Sequence, residues 1–444
     1  MMGTVGKSSK TTARPTPCRR LTHWIGEWPL FGKIVAWVVP AIVVFGVVMR
    51  VLWCLTTDAG ANVTSIAATS LTIIGGVGAV AYLVIKYQER RQAERDEERT
   101  GREEEREEDR HINAKMQQAV DQLGSDKAST RIAGVYALAD VADTYRGGYR
   151  QRVVDILCGY MRSDRETYPL GADGKPVMDR PRSGDADKAV ESTIISVMRD
   201  HLYKERRRRQ EIGVQQIVDD GQLWCDCAFD LHGATFHEDV NLNDTTFERD
   251  LNFQGTKFKG STDFNNATFK DYAHFSNATL KSADFFMAAF EGPADFCGTT
   301  FEKLTNSVGA ANFDYATFKS YAGFNGATFK SHAGFNGATF KDYAHFSDTN
   351  FEGLVKFNEA TFEGDKHFGR AIFESAANFR GADIGESSPV FEGCICNRRF
   401  RGTDSYEWGP IPIPEDNDGL PAGAKWDDST EEDDKDDNTM KASR

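Results

Sequence analysis

The side chains that could do chemistry are few and scattered. Two Cys-x-Cys pairs stand out, Cys225/Cys227 and Cys394/Cys396. Closely spaced thiols suit zinc, but a structural zinc needs four converging ligands. His274 and His345 recur beside Phe275 and Phe346, while His232, His237, His332 and His367 are spread over the same region. None has a carboxylate, Ser or Cys partner at a fixed spacing, as general-base or nucleophilic chemistry requires. Gly3-Thr4-Val5-Gly6-Lys7-Ser8 looks like a clipped phosphate loop. It lacks the four-residue spacing and the preceding strand that such a loop needs. No nucleophile elbow, zincin motif or dinucleotide fingerprint is readable. The expectation is a protein that is not an enzyme, with no cofactor and no metal.

The elements that must position these groups show first in the composition. Of 30 phenylalanines, only Phe31 and Phe45 lie outside residues 229–400. A mixed core does not segregate one residue type so sharply, whereas an internal repeat does. Large apolar residues fall at Phe236, Leu242, Phe247, Phe253, Phe258, Phe264, Phe269, Phe275 and Leu280, in alternating steps of six and five. The beat returns at Phe318, Phe324, Phe329, Phe335, Phe340 and Phe346. Two places before each large residue stands a smaller one, such as Ala234, Val240, Ala267, Ala273 or Ala338. Thr245, Thr256, Thr262, Thr299 and Thr349 vary that theme.

A helix would bury three or four residues in every two turns, not two in eleven. Residues two apart on a short extended segment point the same way. Small and aromatic side chains then both face inward, and a corner must follow. One such coil buries little, so stacking must supply the core.

This pattern resembles the pentapeptide-repeat family, over residues 229–391. The resemblance implies a right-handed, four-sided β-helix with the large residues above as its core. Alternate steps of six depart from strict fives, so one residue is expected to bulge at alternate corners. A four-faced coil then takes about 22 residues, and about seven coils at ~4.8 Å spacing give a rod of about 35 Å. The paired cysteines would lie at opposite ends of that rod and are expected to cap it. The register slips after Leu280 and again at the insert KLTNSVGA, residues 303–310. Such slips map to loops, which are candidate contact sites.

Upstream, residues 34–49 are apolar, Arg50 interrupts, and residues 51–55 continue; a second apolar run covers 66–85. Each run can cross a hydrocarbon core of about 30 Å, and Pro40 is tolerated in lipid. Basic residues flank both runs, and the loop at 56–62 has none. That asymmetry predicts a two-span transmembrane hairpin in a bacterial inner membrane, both termini cytoplasmic.

The expected organisation is a disordered basic N-terminus at 1–30, the hairpin at 31–87 and a charged helical stalk at 88–110. An α-helical module at 111–210 follows, with a loop at 163–187; then come the β-helix at 221–401 and an acidic disordered tail at 402–444. Glu98/Arg102 is one of several opposite charges at helical spacing in the stalk. Ile112, Met116, Ala119 and Leu123 open the amphipathic module. The stretch at 123–143 resembles a HEAT/armadillo-like unit, and a generic helical bundle is the alternative. Arg206 to Arg209 form a basic cluster of the kind that is usually solvated. In the tail, Trp408 and Trp426 are candidates to dock on the last coil.

Charge is uneven. Residues 1–220 hold 30 acids and 33 bases, residues 221–401 hold 24 and 16, and residues 402–444 hold 13 and 4. The expected function is a membrane-tethered scaffold that presents the β-helix to an unidentified protein partner. The alternative comes from the resemblance, because some pentapeptide-repeat proteins imitate duplex DNA and inhibit gyrase. Against it, Lys259, Lys270, Lys281, Lys319, Lys330 and Lys341 stand on the outside of the acidic rod. A mixed face would not imitate a phosphate rail, so a nucleic-acid partner is not expected. Lys319, Lys330 and Lys341 form a candidate interaction surface. The oligomeric state is left open.

Overall fold

A computed structural model describes residues 30–55, 63–165, 171–179, 187–203, 220–302, 311–400 and 405–427. The expected basic N-terminus, the insert at 303–310, the arginine cluster at 206–209 and the end of the acidic tail lie outside these residues. The chain divides into two units, residues 1–108 and 109–444.

In the first unit, α1 spans Leu30–Leu55, with Pro40 inside it. Helix α2 starts at Val63 and continues to Leu123 in the second unit. Among the described residues, no helix is long and apolar enough to cross a membrane. A span needs about 20 consecutive apolar residues. Helix α1 carries Arg50 within it, and α2 runs from its apolar start straight into the charged stretch. This corrects the expected transmembrane hairpin and, with it, the multi-pass inner-membrane location. The charged stretch is helical through Gly101. Arg102 pairs with Glu98 at 3.5 Å and Arg90 with Glu94 at 4.0 Å, all exposed. Such pairs add only about 0.3–0.5 kcal/mol each.

The second unit opens with a helical core. The end of α2 packs with α3 (Ala128–Thr144), α4 (Gly148–Arg162) and α5 (Lys188–Leu202). Buried residues recur at helical spacing: Ile112, Met116, Ala119 and Leu123; Val135, Leu138 and Ala142; Val153, Leu157 and Met161; Val190, Ile194 and Val197. Helix α3 begins one residue after Lys127, whose side chain makes no cap.

From Phe229 the chain becomes a four-faced solenoid of parallel strands, two residues long except for Lys257–Asp263 and Thr279–Asp284. Equivalent residues are 22 apart where the steps alternate, as in Thr246↔Thr268 and Thr317↔Thr339. The spacing drops to 21 across Thr268↔Ala289, where the sequence keeps fives, and rises to 28 at Ala289↔Thr317, across the insert. The five-residue steps, except Leu280 to Phe285 where the strand Thr279–Asp284 runs on, turn through one left-handed residue: Asp244, Asn266, Asn277, Gly326 and Asp348 all have φ of 55–67°. The turn closes on a bond such as Ala267 N–H to Phe264 O at 3.0 Å. Turns with φ > 0 at the third residue favour Gly and Asn, which explains Gly326. The six-residue steps contain no positive φ among the described residues. The extra residue therefore makes a wider corner of ordinary backbone.

Inside, the phenylalanines form four columns. Successive rings stack nearly parallel: Phe318 on Phe340 at 4.9 Å and 1°, Phe324 on Phe346 at 4.9 Å and 2°, Phe313 on Phe335 at 5.0 Å and 3°. Neighbouring columns meet edge to face, as Phe318 meets Phe324 at 81°. The ring spacing follows the strand spacing of about 4.8 Å. Each buried ring contributes about 1.5–3 kcal/mol by leaving water. The threonines at small inward sites bond to carbonyls; Thr299 Oγ1 reaches Phe275 O at 2.6 Å and Thr349 Oγ1 reaches Phe324 O at 2.8 Å.

Both ends of the solenoid are closed. At the start, Trp224 is fully buried and stacks on His201 of α5 at 4.1 Å. At the other end, residues 405–427 are not the expected disordered tail. Tyr406 pairs with Ala377 and Lys425 with Ile395, so both segments extend existing sheets. Trp408 is 4% exposed and stacks on Phe379 at 5.8 Å, covering the last rings. Its apolar bulk outweighs the acidic composition around it. Terminal coils need such covers.

Candidate functional site

With the inside committed to packing, any site must lie on the outer positions or at the ends. The core residues expected from sequence, Phe236, Leu242, Phe247, Phe253, Phe258, Phe264, Phe269, Phe275, Phe318, Phe324, Phe329, Phe335, Phe340 and Phe346, are all buried. Of the lysines that follow the rings, Lys319 and Lys341 are exposed and Lys330 is half-buried, and all three pair across coils. Lys319 reaches Glu291 at 2.6 Å, Lys330 reaches Glu302 at 2.9 Å, and Lys341 lies 4.0 Å from Glu363. These faces carry Lys–Glu pairs between coils.

A different face carries rings. By register its outward residues run Asn252, His274, Asp295, Gly323, His345 and His367. Tyr272, Tyr321 and Tyr343 flank them at the six-residue corners. Tyr272 stacks on His274 at 3.7 Å, Tyr321 on Tyr343 at 5.9 Å, and Tyr343 lies 5.0 Å from His367. A Cβ at Gly323 would meet the far end of the Tyr321 ring at 2.6 Å, so a side chain there would displace the ring from this position. The rings are half-buried and fall in two groups on this face, Tyr272 with His274 and Tyr321 with Tyr343, His345 and His367, separated by the coil that carries Asp295. Cys297 Sγ and Tyr321 OH both bond Asn325 Oδ1, at 2.9 and 3.3 Å.

The stripe is poor in reactive groups. Burial pushes the Cys297 thiol up to about 12, so it stays protonated. Burial likewise raises the Tyr321 hydroxyl and lowers His345, the latter helped by neighbouring His367. The Cys-x-Cys pairs are core rather than site. Cys225, Cys227, Cys394 and Cys396 are buried at the two ends of the solenoid. Burial raises Cys227 and Cys394 to about 12. Among the described residues, no group of three or more His, Cys, Asp or Glu side chains could hold a metal ion.

Sequence reasoning missed two features. The first is the seam between helices and solenoid. Glu191 of α5 is fully buried; its Oε1 accepts the backbone N–H groups of His237 and Glu238 at 2.7 and 2.8 Å. Its Oε2 pairs with Arg165 at 2.8 Å, and Arg165 also donates to Thr235 O. Asp187 pairs with Arg131 at 3.0 Å and accepts from Tyr160 OH at 2.8 Å. The second is Lys366, which takes a small inward site and is 2% exposed. Its Nζ donates to Ile384 O and to Ser387 Oγ at 2.9 Å, holding the loop there. Burial lowers its pKa.

The family profile described as Pentapeptide repeats (9 copies) matches residues 226–268, 264–306, 313–361 and 335–383. The solenoid is a pentapeptide-repeat β-solenoid. None of the matches reaches the helical segment, whose expected HEAT/armadillo-like character is not supported. No curated protein matches the chain. A solved structure of trypsin-treated QnrB1, titled a plasmid-mediated fluoroquinolone resistance protein, is similar at 14% identity. The alignment covers 44% of this chain and 90% of that one, with a TM-score of 0.18. So loose a superposition adds nothing to the coil geometry.

Proposed function

We propose that the chain is a protein-interaction module that presents one face of its pentapeptide-repeat solenoid to a protein partner and performs no catalysis. The tyrosine–histidine stripe carries this proposal. Tyrosine is enriched at the energetic centres of protein interfaces, because it offers a large rigid ring and a polar tip. Three tyrosines and three histidines, in two groups on one rigid face, offer such centres. The coils hold the rings in place, so binding orders few side chains. The lysine faces are less suited, because Lys270, Lys319, Lys330 and Lys341 already have carboxylate partners and exposed charges add little.

The test is a double variant, Tyr321→Ser/Tyr343→Ser. Both rings are half-buried on the outside, so the fold should survive, as circular dichroism would show. A partner that co-purifies with the native chain should then be lost. Retention of every such partner by a folded double variant contradicts the proposal.

The gyrase-directed alternative has the acid excess of residues 221–401 in its favour and the alternating Lys–Glu pairs against it. A supercoiling assay separates the two. No inhibition by micromolar protein removes the alternative; inhibition that survives the double variant favours it.

A further inference from the structure

One corner of the solenoid shows apolar side chains where its own repeat places polar ones. It follows the face that runs through Val240, Thr262, Ala283, Ala311 and Ala333. In successive coils its left-handed residue is Asp244, Asn266, Met287, Tyr315, Gly337 and Glu359, with φ of 55–61°. The residue before it is Asn243, Asn265, Phe286, Asp314 and Asn336 in the first five of these. Gly, Asn and Asp suit such a backbone, whereas long and aromatic side chains are rare there. Met287 and Tyr315 are thus held at a backbone cost that the turn itself does not require.

These side chains also remain in water. Met287 is 50% exposed and Tyr315 is 55% exposed. Phe286 is half-buried, and its ring meets that of Tyr315 edge to face at 5.7 Å. The two coils are direct neighbours, since the Met287 N–H donates to Asp314 O at 3.0 Å. The Tyr315 ring reaches on over Gly337 of the next coil, where a Cβ would meet it at 2.7 Å. The result is an apolar ridge on a rigid corner.

Acids border the ridge. Asp263 accepts the Asn265 N–H at 2.9 Å, Asp284 accepts from Asn312 Nδ2 at 2.9 Å, and Asp314 accepts from Asn336 Nδ2 at 3.0 Å. These donors are neutral and leave the carboxylate charge in place. Burial raises the Asp263 pKa, and repulsion from Asp284 and Asp244 adds to it; the Asn265 N–H and Arg199 oppose the shift.

We infer that this ridge seats a cationic amphipathic segment of another protein. Met287 and Tyr315 are its apolar contacts, and Asp263, Asp284 and Asp314 face lysine or arginine at the edge of the segment. Methionine adapts its shape to a partner, and tyrosine is enriched among the residues that carry interface energy. The bordering acids set the sign of the partner and speed its encounter. A second copy of this chain would set the same acids against each other. The corner is not part of the tyrosine–histidine face, so the inference stands or falls independently of that face.

The test is fluorescence anisotropy of a labelled leucine–lysine amphipathic peptide with the full chain, at fixed ionic strength. A leucine–glutamate peptide is the control for sign. The variant is Met287→Asn/Tyr315→Asn, which removes no charge and supplies the residue that the same turn uses at Asn266. It should melt no lower than the native chain, because asparagine tolerates the left-handed backbone. It should bind the leucine–lysine peptide about ten-fold or more weakly. Tyr321→Ser/Tyr343→Ser should bind that peptide as the native chain does. No saturable binding, equal binding by the asparagine variant, or equal binding of the leucine–glutamate peptide overturns the inference. So does a lower melting temperature, which would give Met287 and Tyr315 a structural role, or loss of binding in the tyrosine variant. Self-association of the native chain that the asparagine variant abolishes would give the ridge to a second copy and overturns it as well.

Discussion

Single atoms decide several outcomes along the repeat. Thr262 and Thr299 both fill small inward sites and are buried. Thr299 Oγ1 has its carbonyl, whereas Thr262 Oγ1 is buried with no hydrogen-bond partner. Replacing each by isosteric valine should therefore move stability in opposite directions. Thr299→Val should cost about 1 kcal/mol, and Thr262→Val should gain about 1 kcal/mol, read by chemical denaturation. His345 gives a pH prediction. Burial holds its folded pKa below the ordinary 6.5, with His367 adding repulsion and Asp348 opposing it. The neutral form is thus favoured in the fold. Its contribution is complete above the unfolded pKa and is lost as pH falls through the folded one. The melting temperature should fall on acidification through this range, and His345→Gln should flatten that slope. An equal slope in the variant would place the effect elsewhere.

Among the elements, the ring columns hold the coils together and the seam joins coils to helices. Phe324 touches rings above, below and beside it. Phe324→Ala should cost about 3–5 kcal/mol, and the loss should spread to neighbouring coils because each stacks on the next. At the seam, Glu191→Ala leaves the buried Arg165 charge only its longer contact with Asp187 at 3.6 Å, which should cost about 3–5 kcal/mol. Hydrogen exchange should then rise in α5 and the first coil while the later coils stay protected. Adding Arg165→Met should recover most of the loss, since an apolar pair avoids burying charge. The columns were legible in the sequence because one residue type repeats at a fixed step and needs no partner outside the repeat. The seam was not. Arg165, Glu191 and His237 stand at unrelated spacings, and only the docking of α5 against the first coil brings them together. Tyr272, Tyr321 and Tyr343 were readable as residues but not as a face, because the 21-residue and 28-residue coils break their period. Gly323, which leaves the Tyr321 ring its position, carries no signal of its own.

For the whole molecule, the regular inside limits where function can lie. The helical core closes one end of the solenoid and the Trp408 segment closes the other, leaving the outer faces. Two of those faces carry Lys–Glu pairs between coils, and one displays rings. The apolar runs near the N-terminus misled because composition alone suggested two spans. The helices they form contain Arg50 in one case and merge with a charged stretch in the other. The central claim is that the ring-bearing face meets a protein. Site-specific photo-crosslinking in the native cell tests it most directly, with a photoreactive residue at Tyr343 compared with one at Glu352 on a charge-paired face. The account predicts a discrete protein adduct from position 343 and none from 352. Adducts from 352 alone, or the same adducts from both, would contradict it.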